Sequence, residues 1–324
     1  MNRFFTFISA IVLSLSACSP PADQAKQQWT LSQTNLIESQ LSQDGQLLLT
    51  SEIGTGATLW DTNQRQPLYI WTHSKKERHH IYIAEISANN AISVTASRQQ
   101  IAVWDNKTGH NLALWQVSNS LIRDIAVSHN GNVIAYALEN GQVVVINRLT
   151  NRQLTFTGHQ ASVNSIAMSA DGQFIFSGGS DYLAYFWRTQ DGHILSRFVH
   201  PHRVVKVALN HNASIAFSAD SKGTATLWQP ASGKKNVQLQ SSQHQPLYTD
   251  AVFSNTDPHL LTATTSRNLD IWQVNSGKNL KSLLVTPKAK AKPPSAVIYS
   301  ARFMAKPRHV QSASSAAIIE DWMY

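Results

Sequence analysis

Along most of this chain, apolar and polar residues alternate in short runs separated by turn signals, the period-two signature of half-buried β-strands. The pattern is sharpest from Gly158 to Arg188, GHQASVNSIAMSADGQFIFSGGSDYLAYFWR. A Gly-His pair precedes an alternating run from Val163 to Ser169. A turn at Ser169-Ala170-Asp171-Gly172 leads into a second run, and a turn at Ser180-Asp181 leads into a third that ends on Trp187. The pattern predicts three short strands joined by two tight turns.

The same unit recurs in worn form from near residue 30 to the C-terminus. Its first turn begins at Ser42, Ser87, Ser128, Ser169, Asn210, Ser254 and Met304, seven copies 41 to 50 residues apart. Eighteen residues after each start, the third strand ends on Trp60, Ile146, Trp187, Trp228, Trp272 and Trp322; in the second copy the interval is 17, to Trp104. A period of this length is that of a four-stranded propeller blade. Fourth strands are expected after each third-strand end, as at Pro67 to Trp71 and His193 to Phe198. None follows Trp322, and the segment Trp29-Thr30-Leu31-Ser32 is expected to take that place. The ring then closes with strands from both ends and leaves no large open sheet edge.

The Gly158 to Arg188 stretch resembles a WD40 repeat, with GH, SxDG, SGGSD and FWR where that family has GH, SPDG, SGSxD and LWD. The resemblance covers most of the chain and implies an all-β, seven-bladed WD40-type β-propeller over residues 29–324. It also implies a structural tetrad: Trp187 indole to Ser177, hydroxyl to His159, and His159 to Asp181. The intervals repeat in His200, Ser218, Trp228 and in His244, Thr262, Trp272. Lys222 and Ser266 stand at the Asp position there, so those sets are expected to be partial.

The N-terminus reads as an address. A basic start at Arg3, an apolar run from Phe4 to Leu15 and the small residues Leu15-Ser16-Ala17-Cys18 have the layout of an export signal, too short to span a bilayer as a mature helix. Leu-Ser-Ala-Cys resembles the lipobox of bacterial lipoproteins. That resemblance implies a signal peptide over 1–17 and acylation of Cys18, the only cysteine. With Ser19 next, it implies a lipid-anchored protein of the outer membrane, facing the periplasm. Residues 18–28 then form the lipidated cysteine and a tether, spanning at most ~35 Å when extended.

Composition adds a partner class. Net charge is +8, from 27 Lys and Arg against 19 Asp and Glu. Two long connections between repeats are basic: Lys75, Lys76 and Arg78 in one, Lys288, Lys290 and Lys292 in the other, the latter flanked by prolines that are expected to keep it extended. Loops on a rigid scaffold are where binding residues concentrate. This face is therefore the candidate surface for an acidic envelope protein or anionic head groups. Nucleic acid would suit the charge, but an exported protein is expected to meet none.

Catalytic chemistry has little to rest on. His159, Ser177 and Asp181 have the residue types of a nucleophilic triad, but the tetrad accounts for them structurally. No G-x-S-x-G, H-E-x-x-H or phosphate-cradling glycine loop occurs. His79-His80 and His200-Pro201-His202 lack acidic or cysteine partners at ligand spacing, so neither metal nor cofactor is expected. The leading expectation is a monomeric, non-enzymatic scaffold. The alternative is a small-ligand-binding or hydrolytic propeller that uses its central channel, where Glu38, Glu85, Arg123, Asp124, Asn164, Lys206, Asp250 and Arg302 are expected.

Overall fold

A computed structural model describes residues 24–31, 36–73 and 80–324. Its strands form seven four-stranded antiparallel sheets, with no helix among the described residues. Blades 1 to 6 occupy residues 36–71, 83–116, 122–156, 163–199, 204–238 and 248–284. Blade 7 takes three strands from Ile298–Phe303, His309–Ser314 and Ile318–Met323, and its outermost strand is Gln27–Thr30 from the other end of the chain. Closure by the N-terminal strand thus stands, although the strand begins at Gln27 rather than Trp29.

The first strand of each blade lies innermost. These strands contact one another in succession around the ring, and Ile298–Phe303 meets Leu36–Leu41 to complete it. In six blades the pairing of first and second strands shifts register by one residue, as between Val163 and Ser165. Such a bulge aims adjacent side chains toward the axis. Blade 2 keeps an unbroken register there.

Blades join through aromatic stacking. The last residues of an outermost strand lie over the third-strand Trp of the next blade: Trp71 on Trp104 at 4.9 Å between ring centroids, and Phe156 on Trp187 at 4.3 Å. Innermost strands add side-chain bonds to the next blade's backbone. Asp124 accepts from Ile166 N, Ser165 from Val207 N, Asp250 from Ala301 N and Ser300 from Leu41 N. All four stand four residues before the turn residue of their repeat.

The long connections lie on one face, between an outermost strand and the next innermost one. They are residues 72–82, 239–247 and 285–297, against 117–121, 157–162 and 200–203 elsewhere. The opposite face consists of tight turns that consume carboxylates. Ser42 and Ser169 donate to Asp44 and Asp171, while Asp61 and Asp105 each accept two backbone N–H groups of the following turn.

Candidate functional site

Three places carry unusual chemistry: the tetrad of blade 4, the axial channel, and the face with the long loops. In blade 4, Trp187 Nε1 donates to Ser177 Oγ at 3.1 Å, and Ser177 Oγ lies 2.9 Å from His159 Nε2. His159 Nδ1 is 3.0 Å from Asp181 Oδ2, and Asp181 also accepts from the backbone of Gln160 and Leu183. One assignment satisfies every group. Nδ1–H donates to the carboxylate, so Nε2 accepts the Ser177 O–H. Burial opposes ionisation of Asp181, but the His159 ring and the two backbone N–H groups outweigh it and hold the carboxyl below its ordinary range.

The two glycines of SGGSD make this possible. A Cβ on Gly179 would stand 2.6 Å from both Asp181 and His159, and one on Gly178 would meet Val204 of the next blade at 2.4 Å. Ser177 is fully buried and His159 is 5% exposed. Each member of the set is thus enclosed and satisfied by the others.

In blade 5, Trp228 Nε1 donates to Ser218 at 2.7 Å and Ser218 Oγ lies 3.1 Å from His200 Nε2. Burial lowers the His200 pKa, keeping the ring neutral. Blade 6 differs from expectation. Trp272 donates to Thr262 at 2.8 Å, but His244 is exposed and takes no part. Gln245 has a positive φ of 46° and Pro246 packs against Gly223 of blade 5, which turns the segment over. Gln243 bonds Asp270 Oδ2 at 2.7 Å instead.

One tetrad member escaped the sequence. His73 Nε2 lies 2.8 Å from Thr95 Oγ1, which accepts the Trp104 indole N–H at 2.8 Å. The interval from His73 to Thr95 is 22 residues rather than 18, because the long 72–82 connection lies between them. Thr95 to Trp104 is 9 rather than 10, which accounts for the 17-residue interval of that copy. Trp60 and Trp322 donate to Thr50 and Ser312 in the same manner.

The channel brings together the charged residues expected on the innermost strands. Asp250 takes both central cations, Arg302 Nη1 at 2.7 Å and Lys206 Nζ at 3.8 Å. Glu38 and Glu85 receive neutral donors only: the Ser39 N–H for one and the Gln40 side chain for the other. Burial pushes Glu38 up to about 8 and Glu85 up to about 7. Direct ion pairs are made to Asp250, while Lys206 acts on Glu38, and Arg302 and Lys206 on Glu85, without an ion-pair contact and too weakly to offset burial. Among the described residues no group of three or more His, Cys, Asp or Glu is placed to hold a metal.

On the long-loop face, Lys288, Lys290 and Lys292 are all exposed. The loop is not extended as its prolines suggested. Lys288 N donates to Ser295 O and Ala291 N to Lys288 O, folding the segment back over a turn at 289–290. Arg98, Arg123, Arg203 and Lys222 are exposed around the same face. Lys75, Lys76 and Arg78 lie outside the described residues, as does Cys18.

Residues 150–188 match the family described as WD domain, G-beta repeat, the segment that leads into and holds the complete tetrad. Apoptotic protease-activating factor 1 of Danio rerio is 24% identical over 233 residues, 71% of this chain and 18% of its own length. Pre-mRNA-processing factor 19 homolog 2 of Arabidopsis thaliana is 26% identical over 159 residues, 48% of this chain and 30% of its own. WD repeat-containing protein 1 of Xenopus tropicalis is 31% identical over 98 residues, 30% of this chain and 15% of its own. The chain spans less than a third of the length of these relatives. A chain in a crystal structure of the Mitotic Checkpoint Complex matches with a TM-score of 0.75 at 13% identity, covering 100% of this chain and 99% of that one. The fold is a seven-bladed β-propeller of the WD40 type.

Proposed function

We propose that this protein is a non-catalytic interaction scaffold tethered to a bacterial cell envelope, which presents its long-loop face to an acidic protein surface. The observation that carries the reading is the set of exposed cations that the long-loop face presents. Arg98, Arg123, Arg203, Lys222 and the three lysines of 285–297 stand exposed there, on or beside the connections and second-to-third turns. Exposed cations on a rigid ring speed encounter with a negative partner and help to orient it. WD40 propellers typically serve as interaction scaffolds, which supports the same reading.

Tethering rests on the Leu15-Ser16-Ala17-Cys18 motif and on where the first strand sits. Gln27–Thr30, the strand that follows the motif in sequence, is outermost in blade 7. Crosslinking in intact cells tests the reading. The native chain should capture a discrete envelope protein, and Lys288→Glu, Lys290→Glu and Lys292→Glu together should lower that capture and its salt sensitivity. Unchanged capture by the triple variant would sink the basic-face reading. A chain with Cys18→Ser that still fractionates with membranes would sink the anchor.

A further inference from the structure

One turn of the ring departs from the pattern that the others keep. In blades 1 to 5 the residue that opens the first-to-second turn accepts the backbone N–H five residues on, as Ser42 does from Leu47 and Asn210 from Ile215. In blade 6 Ser254 accepts from Thr256 and Asp257. Blade 7 reads Met304-Ala305-Lys306-Pro307-Arg308, with no such acceptor at its start and the only Lys and Arg within the first five residues of any of the seven turns. Lys306 and Arg308 are exposed. Departures from a repeat's own pattern, on a loop held by a rigid scaffold, concentrate where a protein binds.

Two open cavities flank that turn. The larger, about 450 Å³, is lined by Lys26, Lys306, Met304 and Met323, and the smaller, about 190 Å³, by Arg65 and Trp29. Both include Gln27, Met304 and Asp321, so the two are continuous. Gln27–Thr30 runs antiparallel to Ile318–Met323, with Gln27 opposite Asp321, which brings Lys26 and Met323 to the end of the blade that carries the 304–308 turn. Tyr324 N donates to Arg308 O at 3.0 Å there. Asp321 is the only acid lining either cavity; it is half-buried and accepts from Gln311 Nε2 at 3.0 Å. Lys26, Arg65, Lys306 and Arg308 stand exposed around it, and Met323 is 52% exposed.

We infer that this corner of blade 7 rests on an anionic phospholipid surface, with Lys26, Arg65, Lys306 and Arg308 against lipid phosphates and Met323 at the edge of the acyl region. The inference rests on the envelope anchor proposed above. Cys18 precedes Lys26 by eight residues, so a lipid on that cysteine holds the corner within at most ~28 Å of the bilayer. Tethering makes the second contact intramolecular, and an acyl anchor together with a basic patch supplies the paired signals that stable attachment takes. Phosphates spread over a bilayer surface meet exposed cations of this kind without a closed pocket. The corner belongs to the tight-turn side, so seating it leaves the long-loop face to the partner.

The test labels the lysines of the full lipidated chain with an amine-reactive reagent and reads each by mass spectrometry, on vesicles of phosphatidylcholine with and without phosphatidylglycerol. Phosphatidylglycerol should lower labelling of Lys26 and Lys306 by about threefold or more and leave Lys222 and Lys288, on the long-loop face, unchanged. Salt at about 1 M, where the Debye length is about 3 Å, should restore the labelling while the chain stays with the vesicles. Arg65→Glu with Arg308→Glu should weaken the protection; both side chains are exposed, a class of change with little effect on folding. Equal labelling with and without phosphatidylglycerol, equal protection of Lys288, or unchanged protection in the double variant overturns the docking while the anchor stands. A chain that does not sediment with vesicles overturns the anchor, and the docking with it. Protection of Lys26 and Lys306 in intact cells but not on vesicles assigns the corner to a protein and overturns the lipid.

Discussion

Blades 3 and 4 are neighbours with the same four-stranded pairing, yet they are held differently inside. In blade 4, Ser177 and Trp187 belong to a four-membered polar network. In blade 3 the corresponding places are taken by Tyr136 and Ile146, which pack in an apolar cluster with Val94, Ile125 and Ile134. The registers of second and third strands are equivalent, Ile134 opposite Ile146 and Ile175 opposite Trp187, while the third-to-fourth pairing shifts at Trp187 in blade 4 and runs unbroken in blade 3. The network is therefore not what makes a blade. It is what a buried tryptophan requires, because the indole N–H loses water and must find an acceptor, whereas an isoleucine brings no such demand.

Removing the acceptor breaks the comparison most sharply. Ser177→Ala leaves the Trp187 N–H and His159 Nε2 buried without partners and should destabilise the protein by about 1–3 kcal/mol in urea unfolding. Trp187→Phe removes the demand as well as a bond. Combined with Trp187→Phe, the alanine change should cost about 1 kcal/mol less than it does alone. Strict additivity of the two changes would show that the network is incidental and that blade 4 is held as blade 3 is.

The repeat was legible because it rests on local sequence. Turn residues and third-strand tryptophans are set within one hairpin, so the seven copies and the closing strand follow from counting. What spans two blades was harder to read. His73 reaches Thr95 across a connection of unusual length, and a fixed interval could not find it. His244 satisfied the interval but sits beyond a backbone turn at Gln245 and Pro246. The channel residues were nameable from the innermost strands, but their pairing was not. Which acid receives Lys206 depends on how far each long side chain extends across the axis, and Asp250 rather than Glu38 or Glu85 receives it.

Acid sharpens the contrast between the two blades at a smaller scale. The Asp181 carboxyl is depressed in the folded protein, so its contribution is present above the usual aspartate range near pH 3.9 and is lost as pH falls through the folded value. Asp181→Asn should cost about 1 kcal/mol at neutral pH and flatten the acid limb of the stability profile. Blade 3 has no equivalent group, since Asn140 begins its second-to-third turn and bonds to Gln142 in neutral form. An acid limb unchanged in the variant would mean that other carboxylates set it.

Blade 6 stands between the two cases and supplies the smallest expected effect. It keeps the tryptophan and its acceptor, Trp272 on Thr262, yet its histidine has left the set. The Thr262 hydroxyl satisfies the indole without help, so a histidine adds to the network only when the connection before the blade delivers it. The 200–203 connection does so for His200, and the 239–247 connection, turned over at Gln245, presents His244 to solvent. His244→Ala should therefore change stability by less than about 0.5 kcal/mol, the range of an exposed substitution that touches no cap or core. Gln243, which bonds both Asp270 and Asn268, marks the position that blade 6 uses in its place. A loss at His244 as large as that from Ser177→Ala would place the ring back over Thr262 and make blade 6 a partial copy of blade 4 rather than an intermediate.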